Sequence, residues 1–169
     1  GANPSWGTLS SGEYSVHKVD VYSHTTQVIA SGQSDYHDIA NGNYLSFTPT
    51  STNDYVHFSG FCNVYDGASS SGGAIYTMLG TSTSIGSGDT KIGYTGTHSN
   101  YTGSSSDFYR VLQHNIVYKC TNLTPNTTYY AELAGATHGG STNTQFTHNV
   151  NNSTSDGRHV YQLIHYKKN

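Results

Sequence analysis

The sequence predicts an all-β fold, a two-sheet antiparallel sandwich of jelly-roll or Greek-key type, and three observations point there. The first is composition: charged residues make up 10% of the 169, Gly numbers 19, and Ser and Thr together number 45. A chain so rich in hydroxyls and Gly and so poor in helix formers has the make-up of strands and turns. Disordered chains of similar polarity carry high net charge and few aromatics, whereas this one has a formal charge of -3 and 15 Tyr. The second observation is alternation. Between Asp107 and Cys120, residues Phe108, Leu112, Ile116, Tyr118 and Cys120 fall on one face of a strand, and Gln113, Asn115 and Lys119 on the other. The third is the corner that follows. Leu123, Pro125, Thr127 and Tyr129 are spaced two apart, which suits a chain leaving one sheet for another. There Pro sets the turn and the Tyr hydroxyl ties back to the upstream backbone.

The length suits one domain with a sizeable core, here 13–169, preceded by an arm, 1–12, whose single large apolar anchor is Trp6. Glu13 to His24 alternates imperfectly and reads as a strand, which Thr25 to Ala30 extends or pairs. Tyr36 to Ala40 is short and extended, and Asn41-Gly42 is the strongest hairpin signal in the chain. Tyr44 to Phe47 runs into Thr48-Pro49, where proline ends the pairing. Asp54 to Asp66 is the second long strand. It sets Val56, Phe58, Cys62 and Val64 on one face, with Gly60 at a bulge or close approach, and Tyr55, His57, Ser59, Phe61, Asn63 and Tyr65 on the other. Three aromatics on an outer face exceed what a solvated sheet normally carries, so this face is a candidate subunit contact. The candidate subunit-contact residues are Trp6 of the arm, Tyr14 and Val16 of the first strand, and Tyr55, His57, Phe61 and Tyr65 of this face.

Beyond it, 67–73 reads as a Ser/Gly loop, Ala74 to Leu79 as a short strand, and Asp89 to Ser106 as a long polar surface excursion. Thr144 to Val150 and His159 to Tyr166 read as the closing strands.

The chemistry of an enzyme is missing. Glu occurs only as Glu13 and Glu132, and the eight Asp lie mostly at turns, where side chains bond nearby amides. No nucleophile elbow, zinc-binding pair of histidines, phosphate loop or cysteine cluster is present. No catalytic residue, metal site or cofactor is therefore assigned. The ten His show no H-x-H pair and read as polar residues on outer sheet faces. Seven scattered Lys and Arg form no basic stripe for nucleic acid, and no apolar run approaches the length of a membrane helix.

Cys62 and Cys120 each sit on the apolar face of a long strand. They are either buried thiols or a disulfide closing a loop of about 58 residues, worth roughly 4 kcal/mol by chain entropy. N-glycosylation sequons occur at Asn100, Asn122, Asn126 and the overlapping Asn151 and Asn152, most of them expected by chance in so hydroxyl-rich a chain. Tyr94, His98 and Tyr101 in the polar excursion are candidate glycan contacts, since a phenol offers a sugar both an apolar plate and a hydroxyl.

The run Leu123 to Ala134, with its L-x-P-x-T-x-Y spacing, resembles the tyrosine corner of fibronectin type III domains. From Asn43 to the C-terminus, the Leu45-Ser46-Phe47-Thr48-Pro49 step, the two long strands and the final HVYQLIHYKKN resemble the β-sandwich domains of phage tail-fibre and virion-appendage proteins. That resemblance implies a non-enzymatic structural subunit of an extracellular fibre, filament or virion surface whose main partner is itself. The association is a compact trimer or a linear fibre in which 1–30 adds a strand to the next subunit. The competing expectation is a monomeric carbohydrate-binding module that recognises a cell-surface glycan.

Overall fold

The structure, a computed structural model, describes residues 12–24, 28–30, 37–66, 72–84, 86, 88–96, 108–138, 144–146 and 159–169. Their strands, in chain order, are β1 (Tyr14–His24), β2 (Val28–Ala30), β3 (His37–Asp38), β4 (Leu45–Phe47), β5 (Tyr55–Asp66), β6 (Gly72–Gly80), β7 (Thr90–Gly96), β8 (Phe108–Lys119), β9 (Tyr129–His138), β10 (Thr144–Phe146) and β11 (His159–Lys168). A 3-10 turn at Cys120–Asn122 follows β8. All pairings are antiparallel and make two sheets packed as a sandwich.

Strand β5 organises the first sheet, sheet A. It pairs β8 along its whole length, from Tyr55 opposite Lys119 to Asp66 opposite Phe108. Its other edge pairs β11 over Tyr55 to Phe61 and then β10 over Val64 to Asp66. Beyond β11 lies β1, and beyond β10 lies β2. In sheet B, β9 stands between β6 on one side and β3 and β4, set end to end, on the other, with β7 outside β6.

The alternation expected of β5 and β8 decides what lies between the sheets. Val56, Phe58, Cys62 and Val64 from β5 and Leu112 from β8 are buried against Leu45, Phe47, Ile75, Leu79 and Leu133 of sheet B. Tyr161 of β11 stacks on Phe58 with ring centroids 6.1 Å apart. Gly60 makes room for it, because a Cβ there would lie 2.6 Å from the Val160 carbonyl and 2.9 Å from the Tyr161 ring. The register of β5 runs through Gly60 unbroken, so this glycine serves a close approach.

The corner between β8 and β9 carries the chain from sheet A to sheet B. The Thr124 N–H donates to the Tyr129 hydroxyl at 2.9 Å, the backward tie that the spacing implied. The Asn126 N–H donates to the Pro49 carbonyl at 2.8 Å, which holds the corner against the β4–β5 turn.

Several expectations are corrected. Asn41 and Gly42 form a tight turn with φ of 52° and 76°, closed from the Asn43 N–H to the Ala40 carbonyl, but the strands it joins both pair β9 and not each other. Gly72 and Gly73 belong to β6, and Thr90 to Gly96 of the supposed excursion form β7 with Ile92 buried. The ragged alternation of β1 comes from a bulge at His17, after which Lys18, Asp20 and Tyr22 turn inward and Val19 and Val21 outward. Those inward charges cover an edge: the Lys18 ammonium donates to the Ser46 carbonyl and Asp20 Oδ2 accepts from the Ser46 N–H of β4. Tyr14 to His24 pairs with β11 of its own chain, and 1–11 and 25–27 of the segment expected to add to the next subunit lie outside the described residues.

Cys62 and Cys120 form no disulfide. Cys62 stands opposite Leu112, whereas the Cys120 N–H donates to the Asp54 carbonyl at the far end of β5. Eight residues of strand separate the two levels, roughly 26 Å.

A candidate contact surface on the outer face of sheet A

The residues of sheet A that point away from the core line up in rows across β1, β11, β5 and β8. One row is Val16, Tyr166, Tyr55 and Lys119; the next is Val19, Ile164, His57 and Val117. The third is Val21, Gln162, Ser59 and Asn115, and the fourth is Ser23, Val160, Phe61 and Gln113, with Asn63 and Val111 beyond it. Ten of these side chains are apolar. Val16, Val19, Val21, Val111 and Val117 are 54–63% exposed.

Charge enters this face at one end, through Lys119 and through Lys168, which pairs with Glu13 at 3.1 Å. Tyr14 packs edge-on against Tyr55 there, with ring centroids 5.2 Å apart. His57 sits among Val117 and Ile164 and donates from Nε2 to Asn115 Oδ1 at 2.6 Å. Ser59 is short and lies between the longer Gln162 and Asn115, which leaves a shallow depression of about 330 Å³. Phe61, Val160 and Gln113 complete its rim.

Sheet B differs. On its outer face Ala74, Tyr76, Met78, Ala134 and Ala136 are all buried within this one chain, with Tyr130 packed on them. Among the described residues, only sheet A leaves broad apolar surface in water. Since a contiguous exposed apolar patch of this kind marks an interaction site, the contrast selects the face.

Of the contact candidates, Tyr14, Val16, Tyr55, His57 and Phe61 meet on this face. Tyr65 lies on β5 with its side chain outside the described residues, as does that of Tyr94 on β7. Trp6, His98, Asn100, Tyr101, Asn151 and Asn152 also fall outside them. Asn122 and Asn126 are exposed at the β8–β9 corner. The sequence reading missed Val19, Val21, Val111, Val117, Val160, Ile164 and Tyr166. Strict two-residue alternation from Asn115 would have found Val111 and Val117, alternation along β11 would have grouped Val160, Ile164 and Tyr166, and the bulge at His17 hid Val19 and Val21.

His114 and His165, expected on outer faces, point into the core, and so does His159. Thr77 Oγ1 is hydrogen-bonded to His114 Nε2 at 2.9 Å and to the Tyr161 hydroxyl. His114 Nδ1 has no partner, so the arrangement that orphans no N–H puts the proton on Nε2, donating to Thr77. Burial pushes His114 down to about 4. Asp54, fully buried, accepts from the Thr50 N–H and hydroxyl, the Ser51 and Lys168 N–H groups, and His165 Nε2. Burial pushes its carboxyl up, but these bonds outweigh it and hold the group below its usual range. Among the described residues no group of three or more His, Cys, Asp or Glu is arranged to hold a metal ion.

No family model matches the chain, and no curated protein matches it. Among solved structures it is similar to that of infectious bursal disease virus, Gx strain, at 15% identity and a TM-score of 0.36, over 91% of this chain and 38% of that one. The Gt strain gives 15% identity and a TM-score of 0.34, over 91% of this chain and 37% of that one. The chain thus spans under two-fifths of the length of either. Likeness at this level identifies neither a family nor a function, and neither structure is a tail-fibre or fibronectin type III chain.

Proposed function

We propose that this chain is a non-enzymatic structural subunit of an extracellular or virion-surface assembly, and that it associates with its own kind through the outer face of sheet A. The observation that carries the reading is the face itself: ten apolar side chains in register, five valines more than half exposed, and charge confined to one end. Four strands about 4.8 Å apart and seven residues deep at about 3.3 Å give a flat footprint of roughly 450 Å². Two such faces, with side-chain relief added, bury about 1,200 Å², the lower end for specific interfaces. A low formal charge of -3 limits repulsion between copies.

Light scattering of the intact chain and of a Val19→Lys/Val117→Lys variant tests this. An oligomer that the double variant converts to a folded monomer supports the reading. A monomeric parent chain, or an oligomer indifferent to both lysines, overturns it.

A further inference from the structure

The contact face is not uniformly apolar. Its third row carries Gln162, Ser59 and Asn115 across three adjacent strands, with Val21 at its end, between a row of Val19, Ile164, His57 and Val117 and a row of Ser23, Val160, Phe61 and Gln113. Asn115 is held by His57 on its carbonyl side, which leaves its amide N–H groups directed elsewhere. A primary amide taken out of water needs partners with matching donors and acceptors, and a hydrocarbon surface offers none.

We infer that two copies pack face to face about a two-fold axis with this polar row of one laid on the same row of the other. The inference rests on the self-association proposed above and adds the register. An isologous contact brings a patch onto itself. A two-fold axis along β5 maps every row onto its counterpart and sets Gln162 on Asn115, and one across the strands at Ser59 maps the third row onto itself. In both, Gln162 and Asn115 meet hydroxyl and amide groups. Slipping one copy by a single row toward Tyr55 sets those amides on Ile164 and Val117 and leaves both unpaired, and a slip the other way sets one of them on Val160. The depression beside Ser59, about 330 Å³ in one copy and lined by Phe61 and Val160 as well as by the polar side chains, closes against its twin when the axis runs along β5. A polar row within a largely apolar contact fixes register in this way, as one buried Asn does in a coiled coil. The charge at the Lys119 and Lys168 end stays at the rim, where long side chains reach solvent.

The test uses the intact chain. Isotope-labelled and unlabelled protein are mixed, and filtered nuclear Overhauser spectra record contacts between copies from the Gln162 and Asn115 side-chain amides. Contacts to Ser59, Asn115 or Gln162 of the other copy are expected. Contacts from those amides to Ile164 or Val117 of the other copy, or an oligomer with no contact at this row, overturn the register while self-association stands. A chain that stays monomeric across the concentration range sinks both.

Discussion

His165 Nε2 donates to Asp54 Oδ2 at 3.0 Å, and both side chains are fully buried. The pair ties the last strand, β11, to the turn that opens β5, since Asp54 also accepts from Thr50, Ser51 and Lys168. Burial pushes His165 below its ordinary value against the pull of the Asp54 carboxylate. The imidazole is thus neutral in the fold and donates one N–H to a carboxylate that the surrounding amides keep ionised.

Removing that carboxylate orphans several donors at once. Asp54→Ala should lower the unfolding free energy by about 3–5 kcal/mol, because several buried donors lose a charged acceptor at about 1–3 kcal/mol each. Urea titration reads this directly, and a loss under ~1 kcal/mol would show that the Asp54 bonds do not support the fold.

Acid should unfold the protein from near neutrality downward. His114 has its pKa pushed from 6.5 to about 4 by burial, and those of His165 and His37 are lowered too, again with burial as the largest cause. A depressed folded-state value means that the unfolded chain takes the proton first. The stabilisation is complete above pH 6.5 and is lost as pH falls through 4, about 3 kcal/mol for His114 alone. Asp54, depressed below 3.8, adds a further loss under pH 4. Stability measured at pH 7, 5.5 and 4.5 should decline steadily, and His114→Gln should flatten the decline. A flat profile down to pH 4.5 contradicts the placement of His114.

Gly60→Ala should destabilise by about 1–3 kcal/mol through overpacking, because the new methyl meets the Val160 carbonyl and the Tyr161 ring. Pairing it with Tyr161→Leu should recover part of the loss if the ring is the obstacle. Equal melting temperatures for Gly60→Ala and the parent chain would place Tyr161 elsewhere.

Both cysteines should be thiols. Burial pushes Cys120 up to about 12, with the Asp54 carboxylate adding to it, so its thiol stays protonated and inert in the native state. Denaturation without reductant should expose two alkylatable groups per chain by mass spectrometry. None would mean a bridge, and the strands would then have to be arranged otherwise.

The strands most legible in the sequence were those with one wet and one dry face. The period of two placed Val56, Phe58, Cys62 and Val64 of β5 and Leu112 of β8 in the core, and the corner spacing placed the Tyr129 tie. What escaped was set by neighbours and not by local pattern. His114 and His165 read as polar surface because an imidazole looks the same in sequence whether it faces water or Thr77 and Asp54. Strand β7 was hidden in a polar stretch because an edge strand buries little, here Ile92. The exposed valines of β1 read as strand but not as surface, since the bulge at His17 reverses which alternate residues face the core. The contact face was seen only in its β5 portion and at Tyr14 and Val16 of β1, because rows across four strands exist only after pairing.

The central claim is that the outer face of sheet A is covered in the assembled protein. Carbene footprinting, resolved to single residues and run on concentrated and on highly diluted protein, measures that cover. Val19, Val21, Val111 and Val117 should be protected when concentrated and labelled when dilute, while exposed Asn122 and Asn126 are labelled in both. Equal labelling of the four valines at every concentration would contradict the account.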